Sequence, residues 1–131
     1  MSIGKMIASH PDVGGDFNEA LAKAARHAMF CSAICTSCAD ACLAEKHVEQ
    51  MRQCIRTCLD CSDVCAATST LAIRRTGGNE ILLEEMLQLC ITACDICAEE
   101  CERHDHDHCR RCAEMCRETA QDCRDALETF H

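Results

Sequence analysis

Three times over, this chain places cysteines at intervals of four, three and four residues: Cys31, Cys35, Cys38 and Cys42; Cys54, Cys58, Cys61 and Cys65; Cys90, Cys94, Cys97 and Cys101. At about 100° of rotation per residue, such positions fall within roughly 60° of one another on an α-helix. A strand, with its period of about two, would scatter them over both faces. The residues between them are mostly Ala, Leu, Ile, Glu, Arg and Asp, a set rich in good helix formers. Cys109, Cys112, Cys116 and Cys123 close the series, and the last three keep the same intervals if Thr119 takes a cysteine slot. Four helices are therefore predicted, each with one narrow stripe of sulfur.

The stripes also say where the chain must turn. From Cys42 to Cys54 is twelve residues, which on one unbroken helix would rotate the second stripe by about 120°. A break is expected around Glu45 to Val48. Thr76-Gly77-Gly78-Asn79 is a second punctuator, with Gly suited to end one helix and Asn79 to cap the next. Moving the first cysteine group on by 59 positions gives the third, and moving the second on by 58 gives 112, 116, 119 and 123, so the chain is a duplicated helical hairpin. The second hairpin should then turn near residue 105, inside His104-Asp105-His106-Asp107-His108. Short connections favour antiparallel neighbours. The expected fold is all-α, an up-down-up-down antiparallel four-helix bundle over residues 17–131, with helices near 17–45, 48–75, 80–103 and 107–129. Residues 1–16, which include Pro11, Gly14 and Gly15, form a separate N-terminal segment or short helix. The turns near 47 and 105 share one end, which collects His47, Met51, His104, His106, His108 and Cys109.

Sixteen cysteines in 131 residues mean a disulfide scaffold or a metal-thiolate protein. Met1 to Pro11 has no apolar leader core, twin arginine or small-residue cleavage site, so the expected location is the cytosol, where thiols stay reduced. No run of 18 or more apolar residues suggests a membrane span. The net charge of −9, with no Trp or Tyr and only Phe17, Phe30 and Phe130, argues against a nucleic-acid partner. The acidic excess reads as a solvated surface.

Soft sulfur ligands select Cu(I), Zn(II) or iron–sulfur clusters. Cu(I) replacing one thiol proton leaves the interior neutral, whereas each Zn(II) on four thiolates would bury a dianion in an already acidic chain. Closed zinc sites also draw paired ligands from two knuckles, and nothing here divides the sulfurs into separate fours. Iron–sulfur ferredoxins wrap loops with a closing Cys-Pro, which is absent. A single buried cysteine would read as a small hydrophobe, but fifteen of sixteen lie on matched stripes. A zinc-thiolate buffer and an iron–sulfur electron carrier stand as the alternatives to a copper store. His104, three residues after Cys101, and His108, beside Cys109, are the best-placed nitrogen ligands, although the same stretch suits a solvated polar loop. Met51 and Met86 each stand about one turn before a cysteine stripe, where methionine serves as core filler or as ligand. Leu82, Leu89 and Ile96, with Ile81 and Ile91 nearby, form an apolar line off the third stripe that neighbouring helices or another subunit must cover.

The three cysteine runs, the junction from Cys101-Glu102-Arg103-His104 to His108-Cys109-Arg110-Arg111-Cys112, and the opening Met6-Ile7-Ala8-Ser9-His10-Pro11 together resemble the bacterial copper storage proteins, in particular their cytosolic branch. The resemblance covers nearly the whole chain. It implies a homotetramer of bundles, each holding many Cu(I) ions on the thiolates of all sixteen cysteines. It also implies that ions come in at the end bearing Met51, His104 and His108, and that no substrate is turned over. Copper donor or acceptor proteins are the partners expected of such a store.

Overall fold

In the computed structural model, which describes residues 2–130, five α-helices and one 3-10 turn account for the regular structure, and no strand occurs among the described residues. The helices are α1 (Ile3–Ala8), α2 (Glu19–Leu43), α3 (Arg52–Ile73), α4 (Glu80–Cys101) and α5 (Asp107–Leu127). Helices α2 to α5 form the expected bundle, each packed against two neighbours in the cyclic order α2, α3, α4, α5. The boundaries lie inside the expected ones by up to a few residues, because the outermost residues act as caps rather than helical turns. Met1 and His131, which the expected segments included, lie outside the described residues.

Both hairpin turns fall where they are expected, the first from the break in stripe phase and the second from the internal repeat. Helix α2 stops at Leu43, with the Ala44 N–H bonded back to the Ala41 carbonyl and the Glu45 N–H to that of Cys42. The chain resumes through a 3-10 turn, Val48–Met51, where a continuous α-helix from residue 48 had been expected. The tighter winding delivers Met51 to a buried position at the head of α3. Helix α4 ends at Cys101 and α5 begins at Asp107. At the opposite end Gly77 has φ +70°, the left-handed conformation that a side chain would strain. Asn79 stands at the N-cap of α4 but makes no side-chain cap; its Nδ2 donates to the Leu71 carbonyl at 3.5 Å. The expected capping role is thus replaced by a bond back to α3, and the backbone carbonyl of Asn79 accepts from Leu83 N–H at 2.8 Å.

The four stripes face inward, and beyond them the interior becomes conventional. Ala24, Ala28, Ala72, Leu87 and Ala126, all fully buried, plug the end near Gly77. Small residues along the seams, including Ala25, Ala39, Ala98 and Ala120, allow the helices close approach. Ser32 and Ser62 add a reciprocal link between α2 and α3, each hydroxyl donating to the other's carbonyl at 2.9 and 2.8 Å. Across α4 and α5, Arg117 and Arg124 share Asp95 at 3.3 and 2.7 Å. The N-terminal segment does contain a short helix, and it lies against α2. His10 Nε2 meets Thr76 Oγ1 at 3.0 Å, and Arg75 donates to the Phe17 carbonyl at 2.7 Å, fastening this segment over the plugged end. No helix is long and apolar enough to cross a membrane.

Candidate metal centre

The sulfur stripes converge because nearly the same residue intervals recur on four helices packed around one axis, and every one of the sixteen thiols is buried and free of disulfides. Sulfur meets sulfur between adjacent helices, as in Cys35–Cys116 at 3.7 Å, Cys54–Cys101 at 3.7 Å and Cys42–Cys54 at 3.9 Å. It also meets across the diagonal from α3 to α5, at 3.9 Å for Cys58–Cys112 and 4.0 Å for Cys61–Cys116. The lumen is therefore filled with sulfur. With a metal–sulfur bond of about 2.3 Å, three sulfurs around one ion stand about 4.0 Å apart, so the interior is already spaced for sulfur coordination.

Groups of four ligand atoms, all within 4.8 Å of one another, run along the axis. Cys31, Cys61, Cys65 and Cys94 form one; Cys31, Cys35, Cys61 and Cys116 the next; then Cys35, Cys97, Cys112 and Cys116; then Cys38, Cys58, Cys101 and Cys112. At the far end stand Cys38, Cys42, His108 and Cys109. Each of these groups shares at least one sulfur with the next, so they make a continuous ladder rather than separate cages. Cys90 joins through Cys65 at 3.8 Å, and a hydrogen bond to Cys90 pushes the Cys123 thiol up. Thr119 does occupy the vacant stripe position, fully buried, but its hydroxyl donates to the His27 carbonyl at 3.4 Å.

Sharing of protons along the ladder sets the acidity of its members as a set. Hydrogen bonds from Cys101 and Cys116 hold Cys112 down to about 6, and those from Cys101 and Cys112 hold Cys97 down. Cys101 is pushed up in turn by Cys112 and Cys38. At the open end, burial first and the neighbouring sulfur charges second push Cys42 and Cys109 up. These two keep their protons until something displaces them.

The open end, or mouth, gathers the expected residues in different ways. His108 faces the sulfurs: its Nδ1 lies 3.4 Å from Cys38 Sγ and 3.6 Å from Cys109 Sγ. Its Nε2 lies 2.8 Å from Glu45 Oε2. Burial pulls the His108 ring down, but hydrogen bonds to Cys38 and Glu45 outweigh it and hold the ring above the ordinary histidine range. His104 Nε2 is bonded to Glu100 Oε2 at 2.8 Å, and Met51 is 3% exposed. His106 stacks on His108 with ring centroids 5.4 Å apart, while His47 stays exposed beside Glu49. A groove of about 370 Å³ between α2 and α5, lined by Ile34, Cys38, His108, Arg111 and Met115, leads from solvent to the mouth.

Glu45, Glu100 and Met115 were not anticipated from the sequence. Glu100 precedes His104 by one turn, and that spacing alone could have revealed it. Glu45 belongs to the other hairpin turn, and no local pattern links it to His108. His27, one turn before Cys31, turns instead to Asp122 and makes a hydrogen bond with that buried carboxylate.

The family model described as copper storage protein matches residues 17–128. A cysteine-rich protein of Bacillus subtilis, YhjQ, is 36% identical over 94 residues, covering 72% of this chain and 83% of that protein. The structure of the copper storage protein Ccsp from Streptomyces lividans, loaded with 10 copper equivalents, superposes with a TM-score of 0.93 at 41% identity, over 98% of this chain and 100% of that one. A Cu(I)-bound copper storage protein, BsCsp3, gives a TM-score of 0.74 at 30% identity, over 83% of this chain and 99% of its own. A family match over the whole bundle, together with a lumen built of shared thiols, leads to one conclusion: the chain belongs to the copper storage protein family.

Proposed function

We propose that this protein stores and buffers Cu(I) in the cytosol, holding many ions on the thiolates of its sixteen cysteines and turning over no substrate. The observation that carries this reading is the ladder of ligand groups joined by shared sulfurs, from Cys65 and Cys94 to His108 and Cys109. Bridging thiolates suit a polynuclear Cu(I) array, because one thiolate per ion keeps the buried interior neutral. Zinc would want closed sets of four, each leaving a buried double negative charge. The copper-loaded relatives support the same reading. His104, His108 and Met51 are proposed as ligands that meet ions at the mouth, with His108 placed to pass them to Cys38 and Cys109. Residues 17–131 would act as the storage bundle and residues 1–16 as a cover for its plugged end.

A homotetramer is the proposed assembly. Leu82, Leu89 and Ile96 are each about half exposed and Ile81 more so, and they leave an apolar face along α4 for another subunit. Ile91, by contrast, is buried within the bundle.

The test is an anaerobic titration of the reduced protein with Cu(I) against a competing chromogenic chelator. A break near or above about 14 ions per chain is expected if filling proceeds thiolate by thiolate. A break at about four or fewer would overturn storage and favour zinc or iron.

A further inference from the structure

We infer that Glu45 is a positioning residue for copper uptake, acting by fixing which nitrogen of His108 faces the sulfurs. The inference rests on the storage reading and deepens it. Glu45 lies in the turn that follows α2, and its Oε2 accepts from His108 Nε2–H at 2.8 Å, across 63 residues of sequence. When the ring is neutral and its proton sits on Nε2, the lone pair of Nδ1 is turned toward Cys38 and Cys109, at 3.4 and 3.6 Å. That lone pair completes a set of three sulfurs and one nitrogen with Cys42. A metal-binding histidine whose second nitrogen donates to a carboxylate is held in one tautomer and one orientation, and is a more basic ligand. His106 packs flat on the same ring and reaches Glu45 Oε2 through Nδ1 at 3.4 Å, so the carboxylate braces both rings at once. Without Glu45, the His108 ring would be free to turn its lone pair toward the groove between α2 and α5.

The experiment is a double-mutant cycle on the rate at which the full-length protein takes the first equivalent of Cu(I) from its chromogenic chelator complex, with final capacity measured on the same samples. Glu45→Ala should slow uptake about tenfold, the scale of losses seen when the partner of a metal ligand is removed. Glu45→Gln, whose amide oxygen still accepts from Nε2–H, should stay within about threefold of the parent. In a His108→Ala background, Glu45→Ala should cause no further slowing. A Glu45→Ala protein that loads at the parent rate, or whose effect multiplies with that of His108→Ala, would overturn the inference. So would a fall in final capacity, which would make Glu45 a ligand or a structural prop. Failure of the storage reading looks different, since the parent protein itself would then saturate at few ions.

Discussion

Placing a thiol at Thr119 should raise copper capacity by about one ion per chain, since the interior then carries one more sulfur on a stripe that otherwise skips this position. The side chain is fully buried, one turn from both Cys116 and Cys123, and its hydroxyl donates to the His27 carbonyl over a long 3.4 Å. Losing that bond costs toward the low end of the range of about 0.5–1.5 kcal/mol for a hydrogen bond. Removing the methyl group forfeits about 0.8 kcal/mol of burial, partly restored by the larger sulfur. Thr119→Cys should therefore fold, with a loss of about 1 kcal/mol without metal. Thr119→Val, which keeps the shape without the hydroxyl, should match the parent in capacity. Both are read by anaerobic Cu(I) titration against a chromogenic chelator, with denaturant unfolding of the metal-free proteins alongside. A folded Thr119→Cys protein that saturates with the parent would refute sulfur-by-sulfur filling. A Val variant that lost an ion would show that the hydroxyl itself is a ligand.

Other consequences follow from the same geometry. Because burial holds Cys42 and Cys109 protonated at neutral pH while Cys112 is held to about 6, loading at neutral pH should release protons at somewhat less than one per ion; an indicator dye in weak buffer reads this, and no release would contradict it. Lowering the pH should weaken copper binding, as protons compete for the same sulfurs and for His108, whose pKa lies above the ordinary histidine range. Leu87→Ala, at a fully buried site in the plug, should destabilise the metal-free protein by about 2–5 kcal/mol with capacity unchanged, and copper should restore much of the lost melting temperature. Gly77→Ala, at φ +70° with open space around the missing Cβ, should cost about 1–2 kcal/mol in chemical unfolding, purely from backbone conformation.

The interval of four, three and four residues determined the helices, because only a helical period keeps those cysteines on one face. The break in phase between Cys42 and Cys54 required the first hairpin turn, and the repeat of the interval carried it over to the second. The choice of sulfur over leucine in the interior determined the chemistry, since soft thiolates select soft metals. The 3-10 turn at Val48–Met51 and the bond of Asn79 back to Leu71 were not legible, because each depends on contacts made after the hairpin closes. The same holds for the working parts of the mouth. Which sulfurs meet across the diagonal, such as Cys58 with Cys112, depends on how far each helix is rotated and slid against its neighbours. The intervals within a single helix carry no record of that rotation or slide. Packing of the seam alanines and the plug residues decides it, and it is what places Glu45 from the turn after α2 against His108 at the start of α5.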